Sequence, residues 1–437
     1  MTLTRTGRRA GVLGSLVAAS ALLTGCLSAG GGDTDAEGEV RLTYWDHSGN
    51  ADESDTLRQI LAEFEEQHEG VTVEFLSLPS DSALQKINTA ISSDSTPDVS
   101  SISGSFLSPF VSQGALLDLE DYFAESSLRD ELDPELVESV RGDAPDGVLH
   151  SLPFTGTSSI LWYRSDWFAE AGIDAIPTWD GFFQTVAQLT DKSQGRYGFT
   201  IRGGEGSVFP LLQYAFAYTG IEDFFVDGEA TVDDPAMVEA VQRYVDLYDV
   251  STPTADLNNG YAPMVGQFDA GDIAIVQHNL GSLANHEEAL PGAFAATTFP
   301  PSATGRNVVL SDPLQQYVVY EGTDHPDEAW ELVEYLLSPE VNSRVNEMKS
   351  QLPTNVEARD DEWIGSIQAL SAARDLQSSD DLAVVSPPLY LPEYSSIIRS
   401  DMEPVFQQVL AGQVAVADFL GQLAEKLEQA EAGFRSR

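Results

Sequence analysis

Trp45-Asp46-His47-Ser48-Gly49-Asn50 sets an indole, a carboxylate, an imidazole, a hydroxyl and an amide side by side. Ser101-Ile102-Ser103-Gly104-Ser105-Phe106 adds three hydroxyls and a second ring. Aromatic faces stack on the C–H faces of sugar rings, and hydroxyls, amides and carboxylates bond sugar hydroxyls. Groups arranged for catalysis are scarce. No lysine follows a glycine, so there is no phosphate-cradling loop, and neither G-x-S-x-G nor H-E-x-x-H occurs. The six histidines, at 47, 68, 150, 278, 286 and 325, include no pair at metal-binding helical spacing. The residues therefore point to binding rather than to an enzyme, with no metal and no cofactor. A secreted glycosidase stays open, because it needs only two carboxylates and 70 acidic residues hide any such pair.

Both runs stand where a predicted strand ends. Val40, Leu42 and Tyr44 alternate with polar residues, the period of a strand, and Pro97-Asp98-Val99 opens another. Between them Leu57, Ile60, Leu61 and Phe64 recur at helical spacing, and Gly70 ends that helix. Val71, Val73 and Phe75 alternate again, and Leu84, Ile87 and Ile91 mark a second helix. The order β-α-β-α-β predicts a parallel sheet with crossover helices, and in open α/β sheets ligands lie beyond the carboxyl ends of the strands. Further on, Thr178 and Asp234-Pro235 read as helix starts, Ile273 and Ile275 as a strand. Trp330, Val333 and Leu337 share a helix face, as do Val416, Phe419, Leu420, Leu423 and Leu427. The fold class is α/β.

The only cysteine is Cys26. It comes after a basic start (Arg5, Arg8, Arg9) and an apolar stretch from about Ala10 to Leu23, the order of a secretory signal. That stretch is short for a bilayer, which takes roughly 20 apolar residues. Leu23-Thr24-Gly25-Cys26 resembles the bacterial lipobox, which implies cleavage after residue 25, lipidation of Cys26 and a place on the outer face of the cell membrane. Residues 26–38, rich in Gly, Ala and Asp, read as a flexible tether. The remaining chain, from residue 39 to residue 437, is long for one core and fits two domains. The net charge of −48 repels nucleic acid and anionic lipid, so the membrane is expected as a partner through the lipid alone.

Taken together, the segments resemble the extracellular solute-binding proteins of bacterial ABC importers, in the group that binds sugars and oligosaccharides. The likeness is carried by the lipobox, LTYWDHSGN, KINTAISSDSTPDVSSISGSFLSPF, GVLHSLPFTGTSSILWYRSDWFAEAGI, FDAGDIAIVQHNLGSLAN and HPDEAWELVEYLLSPE, in that order. It implies a type II two-lobed fold. One lobe comprises 40–153 with 308–358, the other 154–307 with 359–437, with hinge segments near Leu152-Pro153-Phe154 and Thr298–Arg306. It also implies a monomer that captures a sugar and delivers it to permease subunits. Carried over position by position, ligand contacts are expected from Trp45, Asp46, His47, Ser103, Ser105, Phe106, Thr157, Glu205, His278, Asn279, Asp312, Tyr390 and Tyr394. Family members often have Gly-x-Trp where this chain reads His278-Asn279-Leu280-Gly281-Ser282. Stacking is therefore expected from Trp45, with Tyr390 or Tyr394 opposite. Two rivals keep the fold and change the ligand. A polyamine could use Asp46, Glu205 and Asp312, whereas ferric iron would need clustered Tyr, His or carboxylate ligands.

Overall fold

The computed structural model describes residues 39–436 apart from Ser48 and Asn50. The signal (1–25), Cys26 and the tether (26–38) lie outside the described residues. Among those described, no helix is long and apolar enough to cross a membrane.

The chain begins with β1 (Val40–Asp46), the helix Ala51–Gln67, β2 (Val71–Ser77), the helix Ser80–Ser92 and β3 (Val99–Ser103). Strands β2 and β3 both pair with β1 in parallel, the arrangement that crossover helices impose. Next comes β4 (Ser151–Gly156), and two residues later β5 (Ser159–Arg164) opens a different sheet. That sheet gains β6 (Tyr197–Phe199) and, beyond a small hairpin of β7 (Phe225–Val226) and β8 (Glu229–Ala230), β9 (Ile273–Asn279) and β10 (Phe294–Thr297). Its order is β10-β5-β9-β6. After β11 (Asn307–Leu310), the chain returns to the first sheet as β12 (Gln315–Val319) and β13 (Leu352–Pro353). The first sheet then reads β13-β4-β12-β3-β1-β2. Finally β14 (Leu382–Val385) pairs in parallel with β11.

Strand alternation gives each sheet two buried faces. On one face of the larger sheet Leu42, Tyr44, Phe154, Tyr317 and Val319 meet Trp330 and Leu336. On the other, Ile102, Val318 and Tyr320 meet Ile87 and Phe110. Phe154 stacks on Tyr317 with ring centroids 4.1 Å apart. The helix starts read from the sequence are present. Thr178 Oγ1 accepts from Gly181 N at 3.1 Å, and Asp234 Oδ1 accepts from Ala236 N at 2.8 Å with Pro235 at the first helical position.

The crossings between sheets matter most for function. Asn342 and Asn346, both buried on the helix Pro339–Lys349, each donate through Nδ2 to Phe154 O at 2.8 Å. Asn342 Oδ1 also accepts from Thr354 N and Asn355 N, both at 3.1 Å. This clamp ties β4 and the chain after β13 to one lobe, so Thr157-Ser158 begins the passage to the other. The second passage is not at Thr298–Arg306. Ser302 N and Oγ both bond Arg306 O in a local turn, and β11 is held by β14. The chain crosses later, through Ser311-Asp312-Pro313-Leu314. Near the end, a π-helical turn, Ile397–Met402, precedes the helix Glu403–Leu410, whose Phe406, Val409 and Leu410 are buried.

Candidate functional site

Between the two sheets lies a cleft with an inner cavity of about 270 Å³ and a wider outer one of about 970 Å³. His47, Arg202, His278, Asn279, Gln315 and Arg399 line both, so the two are continuous. The walls come from strand ends, as the topology requires. His47 follows β1, Ser103 and Ser105 follow β3, and His278 and Asn279 end β9. Thr157 and Asp312 belong to the two crossings. Arg202 and Glu205 occupy a loop after β6 that lies tight against the chain at 256–259. A Cβ at Gly203 would sit 2.4 Å from Asp256 O, and one at Gly204 2.5 Å from Asn258 O, so only glycine lets the loop approach so closely.

Among the described residues, several buried polar atoms on residues that line this cleft have no hydrogen-bond partner: Thr157 Oγ1, Asp312 Oδ2, Gln315 Oε1, Tyr394 OH and His278 Nδ1. A buried polar group left alone costs about 1–3 kcal/mol, so five on the lining of one cavity suit a polar guest. Asp312 is part-buried as a residue, and desolvation pushes its carboxyl up to about 6 against weaker opposing bonds from Gln213 and Ser159. The Ser159 proton is drawn chiefly to Gln213 Oε1 at 2.8 Å and reaches Asp312 Oδ1 only at 3.5 Å. Asp312 therefore keeps Oδ2 for what enters.

His47 and Ser101 are bonded in the sense opposite to a nucleophile and its base. Ser101 Oγ donates to Asp46 Oδ1 at 2.9 Å, so its one proton is spent. It must then accept from His47 Nδ1 at 2.8 Å and from His47 N at 3.1 Å. The imidazole is thus the Nδ1–H tautomer and offers Nε2 as an acceptor. Burial, the largest cause, pulls His47 down to about 4, so the ring is neutral at neutral pH. His278 falls to about 3 for the same reason. Ser101 is fully buried and gives its proton away from the histidine, the reverse of a Ser–His pair. Among the described residues no three His, Cys, Asp or Glu side chains are grouped to hold a metal.

Of the residues singled out from the sequence, His47, Ser103, Ser105, Thr157, His278, Asn279, Asp312 and Tyr394 line the inner cavity. Phe106 and Glu205 line the outer one. Asp46 lies behind His47, buried and bonded to Ser101. Two expectations are corrected. Trp45 is one residue out of phase with Tyr44 and Asp46, so strand alternation turns it to the opposite face, beside Leu76, Leu78 and Thr89. Tyr390 is held by the C-terminal helix, its hydroxyl donating to Glu431 Oε2 at 2.7 Å and its ring packed on Phe434. The aromatic residues of the cleft are Phe209 and Tyr394 on the inner side and Phe106 and Tyr261 on the outer, the ring of Tyr261 4.7 Å from that of His278. Reading the sequence also missed Arg202, Arg399, Gln277 and Gln315. Gln277 had a signal, since it precedes His278 at the end of a predicted strand.

Trp45→Ala is accordingly expected to leave ligand affinity within about twofold. It should lower stability by about 1–3 kcal/mol through lost packing. Calorimetry with a bound ligand and a denaturant melt measure the two effects, and a large loss of affinity would return Trp45 to the cleft.

The sequence pattern of the family described as bacterial extracellular solute-binding protein matches residues 50–343. A binding protein of Brucella abortus is 26% identical over 326 residues, covering 73% of this chain and 77% of its own. A mannitol-binding protein of Pseudomonas aeruginosa is 26% identical over 225 residues, half of each chain. Among solved structures, an ABC transporter solute-binding protein of Thermotoga lettingae bound with α-D-tagatose superposes with a TM-score of 0.78 at 20% identity. That likeness covers 90% of this chain and 100% of the other, and it shows the two-lobed α/β fold.

Proposed function

The chain belongs to the bacterial extracellular solute-binding protein family, and from that premise we propose that it captures a sugar or oligosaccharide and delivers it to an ABC importer. Lipid on Cys26 would hold it on the outer face of the membrane. The observation that carries the reading is the set of five unpartnered polar atoms around one cleft. They combine acceptors (Asp312, Gln315) with hydroxyls that both give and take (Thr157, Tyr394), which suits a ligand rich in hydroxyls. Relatives named for mannitol and for erythritol and L-threitol, and neighbours bound to tagatose, maltose and ribitol, support the class.

The lobes in this proposal are 40–156 with 315–358 and 159–310 with 359–437, joined through Thr157-Ser158 and Ser311-Asp312-Pro313-Leu314. Membership of the two main sheets supports that division, and β11 stays with its partner β14. Ligand bridging the lobes stabilises the closed form only through its higher affinity for that form. The closed monomer then presents both lobes to the permease subunits. No step of this is catalytic. A polyamine is disfavoured because Arg202 and Arg399 line the same cleft.

The test is a thermal-shift screen of sugars and oligosaccharides on the purified full-length protein. A specific ligand at 100 times its dissociation constant should add roughly 2.7 kcal/mol of stability. Small-angle scattering with that ligand should show a smaller radius of gyration. An unchanged radius would sink closure, and silence across the whole screen would sink sugar capture. Release of phenol from aryl glycosides would replace capture with hydrolysis.

A further inference from the structure

Arg202 is exceptional among the described arginines. Every other one has an Asp or Glu oxygen within 3.9 Å, as expected where 70 acidic residues face 22 basic ones. Arg202 has none. Its Nε donates to the carbonyl of Glu205 at 2.5 Å, which fixes the guanidinium, and its two terminal nitrogens meet no acceptor among the described residues. Gly206 makes room for this pose, since a Cβ there would sit 2.2 Å from one of those nitrogens. The second guanidinium of the cleft, Arg399, comes from the π-helical turn and has only a long contact, 3.9 Å, to the exposed Glu205. Both arginines line the inner and outer cavities.

Glu403 and Glu205 offset part of this charge, yet neither forms an ion pair with Arg202, and Glu403 gives Oε1 to Gly206 N at 2.7 Å. On the other lobe Lys349 is paired with Glu53 at 2.5 Å, so its charge is already answered. Burial first, and then the charge of Arg399, weaken the hold of Arg202 on its proton. Arg202 is part-buried and Arg399 exposed, and an anion that meets both guanidinium groups gains from each. The planar fork of arginine is suited to a carboxylate or a phosphate. Asp312 repels such a group and lines only the inner cavity, so a ligand is oriented with its hydroxyls inward and its anion toward the mouth.

We propose that the cleft selects an acidic sugar, its carboxylate or phosphate held by Arg202 and Arg399 and its hydroxyls directed to Asp312 and Thr157. This rests on the sugar-capture reading and narrows it. The probes are hexuronates and hexose 6-phosphates, each titrated against its neutral hexose by calorimetry on the full-length protein. The acidic member should bind about tenfold to hundredfold more tightly than its neutral counterpart, the scale of hydrogen bonds to a charged group. Uronate ahead of phosphate assigns a carboxylate ligand, and the reverse order a phosphate. Arg202→Gln should abolish the preference for the acidic member of each pair, and Arg202→Lys should restore part of it. If Arg202→Gln does not fold, the comparison on the unaltered protein still decides. Neutral sugars binding as tightly as acidic ones would overturn the anion site and leave sugar capture standing. Failure of every sugar, acidic or neutral, would remove both.

Discussion

Asp312→Asn is expected to weaken ligand binding by about tenfold to hundredfold and, at pH 8, to make the ligand-free protein more stable. The two effects share one cause. Asp312 lies in the crossing between lobes with Oδ2 buried and unpartnered, so it is costly to the empty protein and available to a guest. A hydrogen bond to a charged acceptor contributes about 1.5–3 kcal/mol, which asparagine forfeits. The pH dependence comes from the raised carboxyl, about 6 against an ordinary 3.8. A group whose folded value is raised favours the native state fully below the unfolded value, and that advantage is lost as pH rises through the folded one. The unaltered protein should therefore lose up to about 3 kcal/mol from this group between about pH 4 and pH 7. Asparagine does not ionise, and its profile should lack that fall. His47 and His278, held neutral by burial, tilt both profiles the other way below pH 6.5 and cancel in the comparison. Denaturant melts across that range and calorimetry measure the two halves. Parallel profiles with unchanged affinity would place the carboxylate outside the site.

Cys26→Ala is expected to move nearly all of the protein from the membrane fraction to the medium. Cys26 is the only thiol in the sequence and stands directly behind Leu23-Thr24-Gly25. A single acyl chain gives marginal membrane binding, whereas two or more make it stable, so losing the attachment point removes essentially all of the affinity. The surface offers no substitute, because a net charge of −48 is repelled by anionic headgroups. Fractionation with acyl labelling reads the outcome. A variant that stays on the membrane and still takes up label would refute the lipobox.

The elements were legible because their periods are local. Leu42 and Tyr44 announce β1, and Thr178 and Asp234 announce helices that the caps then hold. The same alternation that reveals a strand also decides which of its residues can reach a ligand, and there the reading slipped by one position. Trp45 drew notice for its polar neighbours, yet Tyr44 and Asp46 already occupied the inward phase. His47 and Asp312 were legible because each ends or joins an element. Arg202 and Arg399 were not, because they are 197 residues apart and meet only when the loop after β6 and the C-terminal segment fold together. No local pattern marks an arginine that will lack a carboxylate.

The π-helical turn at Ile397–Met402 bears on packing as well as on binding. A wide turn carries an extra residue relative to the α-helix on either side. Arg399 lies in it, at the mouth of the cleft, while Ile397 and Met402 at its two ends are buried. Beyond it Phe406, Val409 and Leu410 stay in phase with the core. Changes inside the turn can therefore alter what the cleft displays without rephasing the helix that packs behind it. The turn thus lets the face shown to the ligand and the packing behind it be altered separately.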